Sequence, residues 1–156
     1  VRRNTFINAK NEGGDCCLIV IVTMSKCILK FDGASKFNPG PSGTGYEIVV
    51  GGEQVETGGR SLGKATCNEA EYTALIDGLE ALKRLGIQSA EVYGDSALVC
   101  NQISGIWKVK KQNLIGLWKR AVELKNELGV KKIEHIPRSE NAVADCLASN
   151  YAIACK

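Results

Sequence analysis

Histidine is nearly missing from this 156-residue chain: His135 is the only one, so any nucleophile relayed through imidazole would have to use it. No Gly-x-Ser-x-Gly or comparable nucleophile signature is present either, which leaves Ser-His-Asp and Cys-His chemistry without support. Long apolar runs are also absent. The stretch Cys17 to Val22 falls far short of the roughly 20 residues that a membrane span needs, and no membrane association is expected. There is no Cys-x-x-Cys pair among the seven cysteines (Cys16, Cys17, Cys27, Cys67, Cys100, Cys146, Cys155), whose number is odd and which sit mostly in apolar runs. Buried thiols in a reducing, intracellular compartment are expected rather than a disulfide framework or a zinc site. Charge of one sign is lacking as well: 20 Lys and Arg against 17 Asp and Glu give +3, too balanced to require a polyanionic partner, so any basic surface must be local. There are no internal repeats and no low-complexity tracts.

What is present is enough for one domain, with 44% hydrophobic residues to build a core. Residues 1–23 differ in composition from the rest, and Met24 is a natural initiator, so 1–23 are expected to be an extension and 24–156 the domain. Residues 27–31 form an apolar run closed by Asp32-Gly33 and read as a central strand. The turn-rich segment 38–43 reads as a loop, followed by a hairpin of residues 44–50 and 54–61 around Gly51-Gly52. From Asn68 to Leu85 the period becomes helical, with Leu75, Leu79 and Leu82 on one stripe and Gly86 as a stop. Glu71, four residues before Leu75, continues that stripe, whereas Glu69 points elsewhere. A strand over 90–94, a helix to about Ile103, a helix over 114–128, a strand over 131–136 and a helix over 141–154 complete the order βββαβααβα. The fold class is α/β, with a five-stranded mixed sheet (three antiparallel strands, then two parallel) and helices packed against it.

Four acids stand in distinctive settings: Asp32 and Asp95 at strand ends, Glu71 and Asp145 in helical patterns. Each has an ordinary reading. Asp95 and Asn141 can cap helices, Gly33 and Gly40 can be turn residues, and Glu71 can pair with a buried Arg. Together they converge on one edge of the sheet, where unpaired carboxylates repel and raise one another's pKa values. A divalent metal site accounts for them most simply. Gly94 leaves room beside Asp95 for the close approach of a ligand backbone.

The blocks Asp32-Gly-Ala-Ser with Asn38-Pro-Gly-Pro-Ser-Gly, Thr66-Cys-Asn-Glu-Ala-Glu71, Asp95-Ser, and His135 through Arg138-Ser-Glu-Asn141 to Asp145 resemble type 1 ribonuclease H over about residues 27–154. The resemblance implies a ribonuclease H-like fold and a metal-dependent endonuclease that cuts the RNA strand of RNA:DNA hybrids, leaving 5′-phosphate and 3′-hydroxyl ends. By that resemblance Asp32 bridges two Mg²⁺ ions, for which Mn²⁺ can substitute. Asp145 serves the ion on the attacking-water side, and Glu71 with Asp95 the ion on the leaving-group side. His135 resembles the family's mobile histidine near the scissile phosphate. Gly33, Ser35, Asn38, Cys67 and Asn68 are candidates for the minor groove, through side chains or backbone, Thr66 for a DNA phosphate, and Arg138 and Asn141 for the RNA strand. Two departures from the family pattern stand out. The basic helix and loop of longer members is compressed here to residues 105–113, where Trp107 with Lys108, Lys110 and Lys111 is the candidate replacement, Trp107 being equally readable as core. Cys67 and Glu69 also depart from the Thr-Asn-Asn type of block. A monomer is expected. The alternatives are a catalytically weak nucleic-acid-binding module derived from a retroelement, and another nuclease of the superfamily.

Overall fold

The computed structural model describes residues 26–154, so the reading of residues 1–23 lies outside it. Alternation along Cys27–Ser35 (β1) buries Cys27, Leu29 and Phe31 and leaves Ile28 and Lys30 half-covered, as in a strand lying between two layers. β1 pairs antiparallel with Gly40–Val50 (β2), from Cys27 opposite Val50 to Ser35 opposite Ser42. The turn Gly51-Gly52 then leads into Glu53–Gly58 (β3). Both glycines have positive φ, 59° and 83°, which a two-residue hairpin between right-twisted strands demands.

The hairpin is therefore present, but its returning arm is divided. β3 stops at Gly58, and Ser61–Ala65 (β4) pairs with the first residues of β2. The break falls where a side chain has no room: a Cβ on Gly58 would lie 2.5 Å from the Tyr46 hydroxyl, and one on Gly59 2.2 Å from the Thr44 carbonyl oxygen. The segment 38–43, expected as a loop, is accordingly strand from Gly40 onward. β4 adds a sixth, short strand to the five expected.

Cys67–Leu85 (α1) begins with a capping box, in which the Thr66 hydroxyl accepts the Glu69 amide and the Glu69 carboxylate accepts the Thr66 amide. It ends at Gly86 with φ 73°. Leu75, Leu79 and Leu82 are buried, each contributing about 2 kcal/mol of apolar burial. Glu91–Gly94 (β5) pairs parallel with β1, and Ala97–Ile103 (α2) and Gln112–Glu127 (α3) follow. Lys132–His135 (β6) pairs parallel with β5, and a 3-10 turn Arg138–Glu140 leads into Ala142–Ala154 (α4). The sheet order is β3-β2-β1-β5-β6, with β4 beside β2.

Each face of the sheet receives a helix at close range, through glycine. On one face α1 lies against β1, where Gly78 accommodates the Leu29 side chain, and α3 packs against α1. On the other face the Ala144, Ala148, Ala152 stripe of α4 seats on β2. A Cβ on Gly45 would lie 2.3 Å from the Ala144 carbonyl oxygen, and one on Gly43 2.5 Å from that of Ala148. Backbone-to-backbone packing on both faces brings α1 and α4 close to the end of β1.

Candidate active site

Asp32 pairs with Gly45 across the sheet and so shares the face that α4 covers, while its neighbour Gly33 faces α1. A Cβ on Gly33 would lie 2.2 Å from the Ala70 carbonyl carbon and 2.3 Å from the Glu71 amide nitrogen, so this glycine lets the first turn of α1 touch the strand. The Gly33 amide donates to the Glu71 carboxylate. Asp95 follows β5 directly. Its neighbour Ser96 caps α2, accepting the Val99 amide at 3.3 Å, so the helix needs nothing from the Asp95 carboxylate. Asp145 lies in the first turn of α4, half-buried.

One oxygen from each of Asp32, Asp95 and Asp145 lies within 4.8 Å of the others. Glu71 reaches Asp32 from the α1 side. Asp32 and Glu71 are 1% and 8% exposed, and burial drives both carboxyls well above their usual pKa range. For Asp32 the Glu71 charge adds to the effect, and for Glu71 the Asp95 charge does. The pair can bond to each other only by sharing a proton. Among the described residues, the buried side-chain polar atoms without a hydrogen-bond partner are both Asp32 oxygens, Glu71 Oε2, Asp95 Oδ2 and Asn141 Oδ1. All five belong to this site. Buried carboxylate oxygens without donors suit a hard divalent cation, which takes oxygen ligands. The reading of Glu71 as partner to a buried Arg fails, because Arg138 is 75% exposed and makes its ion pairs with Asp95 (Nε to Oδ2, 3.7 Å) and Asp145 (Nε to Oδ1, 3.5 Å).

The other sequence-derived candidates divide into those at the cleft and those with structural work. His135 is exposed and pairs with Gly94, next to Asp95. Gly33, Ser35, Asn38, Thr66, Cys67 and Asn68 gather where the β1–β2 loop meets the start of α1. There Asn38 Oδ1 accepts the Cys67 amide at 3.0 Å, and the Ser35 hydroxyl lies within bonding distance of the Phe37 and Ala65 carbonyls. The Thr66 hydroxyl is occupied by the capping box, which also explains Glu69.

Two expectations need correction. Asn141, expected near the RNA strand, is 1% exposed, and its amide donates to the Phe31 carbonyl at 2.8 Å, fastening the start of α4 to β1. Gly94, read as room for a ligand, instead makes room for Phe31, whose ring would lie 2.5 Å from an added Cβ.

Lys108, Lys110 and Lys111 are exposed on the loop between α2 and α3, away from the acids in sequence but tied to α1 through a residue that no sequence motif marks. Gln102, 5% exposed, accepts from the Tyr72 hydroxyl at 2.6 Å and donates to the Lys108 carbonyl at 3.2 Å. A polar residue among the buried positions Val99, Cys100 and Ile103 of α2 was the available signal. Trp107 is 47% exposed and is not core.

Known proteins share this architecture. Residues 30–151 match the family described as "Reverse transcriptase-like". The chain is 44% identical over 120 residues to a ribonuclease HI of Halobacterium salinarum, covering 76% of this chain and 60% of that protein's length. The crystal structure of RNase H1 from the same archaeon superposes with a TM-score of 0.80 at 40% identity, covering 83% of this chain and 99% of that one. The structure of LC11-RNase H1 in complex with RNA/DNA hybrid gives a TM-score of 0.78 at 34% identity, covering 83% and 98%. The family match, the identities and the superpositions agree, and the chain belongs to the type 1 ribonuclease H family.

Proposed function

We propose that this chain is an endonuclease that hydrolyses the RNA strand of RNA:DNA hybrids, leaving 5′-phosphate and 3′-hydroxyl ends, with Mg²⁺ as the metal and Mn²⁺ able to replace it. The observation that carries the reading is the concentration of buried carboxylate oxygens without a hydrogen-bond partner on Asp32, Glu71 and Asp95 at one edge of the sheet. A module that only bound nucleic acid would gain nothing from that repulsion.

Asp32, Glu71, Asp95 and Asp145 would hold two ions, which supply a hydroxide nucleophile and stabilise the leaving 3′ oxygen in an in-line displacement. Asp32 is central because it stands between the carboxylates of α1, α4 and the end of β5. His135, exposed beside the strand end that carries Asp95, moves a proton at the scissile phosphate or assists product release. Ser35, Asn38, Asn68 and the backbone at Gly33 and Cys67 face the minor groove, where a 2′-hydroxyl that both donates and accepts distinguishes RNA from DNA. Thr66 sits beside them at a helix start that favours a phosphate. Lys108, Lys110 and Lys111 bind phosphates of the DNA strand, and Arg138 is within reach of the RNA strand. The protein acts as a monomer in a reducing compartment, in keeping with the buried Cys100, whose thiol burial pushes up to about 12. No helix among the described residues is long and apolar enough to cross a membrane.

The test is incubation with end-labelled RNA:DNA hybrid, double-stranded RNA and double-stranded DNA, in Mg²⁺ and then in EDTA. Cleavage confined to the RNA of the hybrid and abolished by EDTA is the expected result. Binding of the hybrid with no cleavage in Mg²⁺ or Mn²⁺ would favour the retroelement-derived binding module.

A further inference from the structure

Among the described residues, Arg138 is the cation that forms ion pairs with the carboxylate cluster. Its Nε stands 3.7 Å from Asp95 Oδ2 and 3.5 Å from Asp145 Oδ1, so one guanidinium spans two acids that come from separate elements, the end of β5 and the first turn of α4. Its backbone is firmly placed. The Ile136 amide donates to the Gly94 carbonyl at 2.8 Å, and the Asn141 amide donates to the Arg138 carbonyl at 2.9 Å, which closes the 3-10 turn. Its side chain is 75% exposed. The residue is thus fixed at its root and loose at its tip, in position to move a positive charge onto and off the acids without rearranging the fold.

We infer that Arg138 is a built-in counter-cation of this site, which must withdraw from Asp95 and Asp145 before those two carboxylates can hold divalent metal. The inference rests on the metal reading proposed above. A Mg²⁺ ion held at about 2.1 Å from Asp145 Oδ1 would stand no more than about 6 Å from Nε, close enough for the two positive charges to repel. Both cations compete for the same oxygens. Withdrawal frees the guanidinium, whose forked donors match a phosphate, so loading of the site and presentation of a phosphate-binding group become one event. Until then Arg138 offsets part of the repulsion among the acids. Because the side chain is largely exposed, each ion pair is weak, and the competition is expected to weaken metal binding by about threefold to tenfold.

The test is a Mg²⁺ titration of the whole chain without nucleic acid, followed by nitrogen-15 NMR at the Asp95 and Asp145 backbone amides and at arginine Nε–H. Arg138→Ala is compared with wild type and with Arg120→Ala, which removes a distant charge paired with Glu80 and Glu123. Expected are a saturable shift of the Arg138 Nε–H signal in wild type, about threefold to tenfold tighter Mg²⁺ binding in Arg138→Ala, and wild-type affinity in Arg120→Ala. Equal or weaker binding in Arg138→Ala, an unmoved Nε–H signal during saturation, or the same gain in Arg120→Ala would each overturn the counter-cation inference alone. No Mg²⁺-dependent shift at Asp95 or Asp145 in any of the three proteins would overturn the metal reading and this inference with it.

Discussion

Asp32 bears more of the site's repulsion than any single neighbour, because it is buried at 1% exposure between Glu71 and Asp95 and neither of its oxygens has a donor. Burial and those two charges raise its pKa, so in EDTA the folded protein binds protons that the unfolded chain has already released. The stability this contributes is fully present below the ordinary carboxylate pKa of about 4 and is lost as pH rises through the raised value. Asp32→Asn removes the dependence with little change in volume. In EDTA its melting temperature relative to wild type is therefore expected to climb between about pH 5 and pH 8, and saturating Mg²⁺ is expected to shrink the difference by stabilising wild type. Thermal melts at a series of pH values check this. A constant difference across that range would show that Asp32 does not titrate under the strain described.

At the level of elements, the site depends on how closely helices approach strands. Gly33 meets the backbone of α1 directly, so Gly33→Ala must push the first turn of α1 away and carry Glu71 with it. A loss of about 1–3 kcal/mol in urea unfolding is expected, together with a fall in hybrid cleavage. Gly116, inside α3 with open space around it, provides the contrast: Gly116→Ala should stabilise by about 0.5–1 kcal/mol and leave cleavage unchanged. A Gly33→Ala protein as stable as wild type would remove the close-approach argument. The sequence made some of this legible and hid the rest. Heptad-like spacing from Leu75 was enough to tell which way Glu71 points, and Gly51-Gly52 declared its turn, since both are local signals. The division between β3 and β4 was not readable, because it arises from Thr44 and Tyr46, more than about ten residues away, crowding Gly58 and Gly59. Asn141 was misplaced for the same kind of reason: its partner, the Phe31 carbonyl, is 110 residues distant. Gln102 carried no motif at all, and only its position among buried residues of α2 marked it.

Over the whole molecule a formal charge of +3 cannot by itself draw in a polyanion, so affinity for a hybrid has to come from a local arrangement. The exposed loop with Lys108, Lys110 and Lys111 is held to α1 through Gln102 and Tyr72, which places it on the same structural frame as Glu71. Each phosphate neutralised there releases counterions. Replacing the three lysines with Ala is expected to weaken hybrid binding and to make its salt dependence shallower, by about 0.7–0.9 in logarithmic slope for each phosphate that is no longer neutralised, with cleavage at saturating hybrid little changed. Fluorescence anisotropy over a range of salt concentrations checks it, and an unchanged slope with unchanged affinity would return the loop to a solvated connection between α2 and α3. The claim on which the rest depends is that the carboxylates around Asp32 are the centre of metal-dependent cleavage. The most direct test compares wild type with folded Asp32→Asn on one labelled RNA:DNA hybrid in Mg²⁺, measuring cleavage rate and hybrid affinity side by side. Affinity within a few-fold of wild type with cleavage abolished is the expected result, whereas cleavage by Asp32→Asn at the wild-type rate would contradict it.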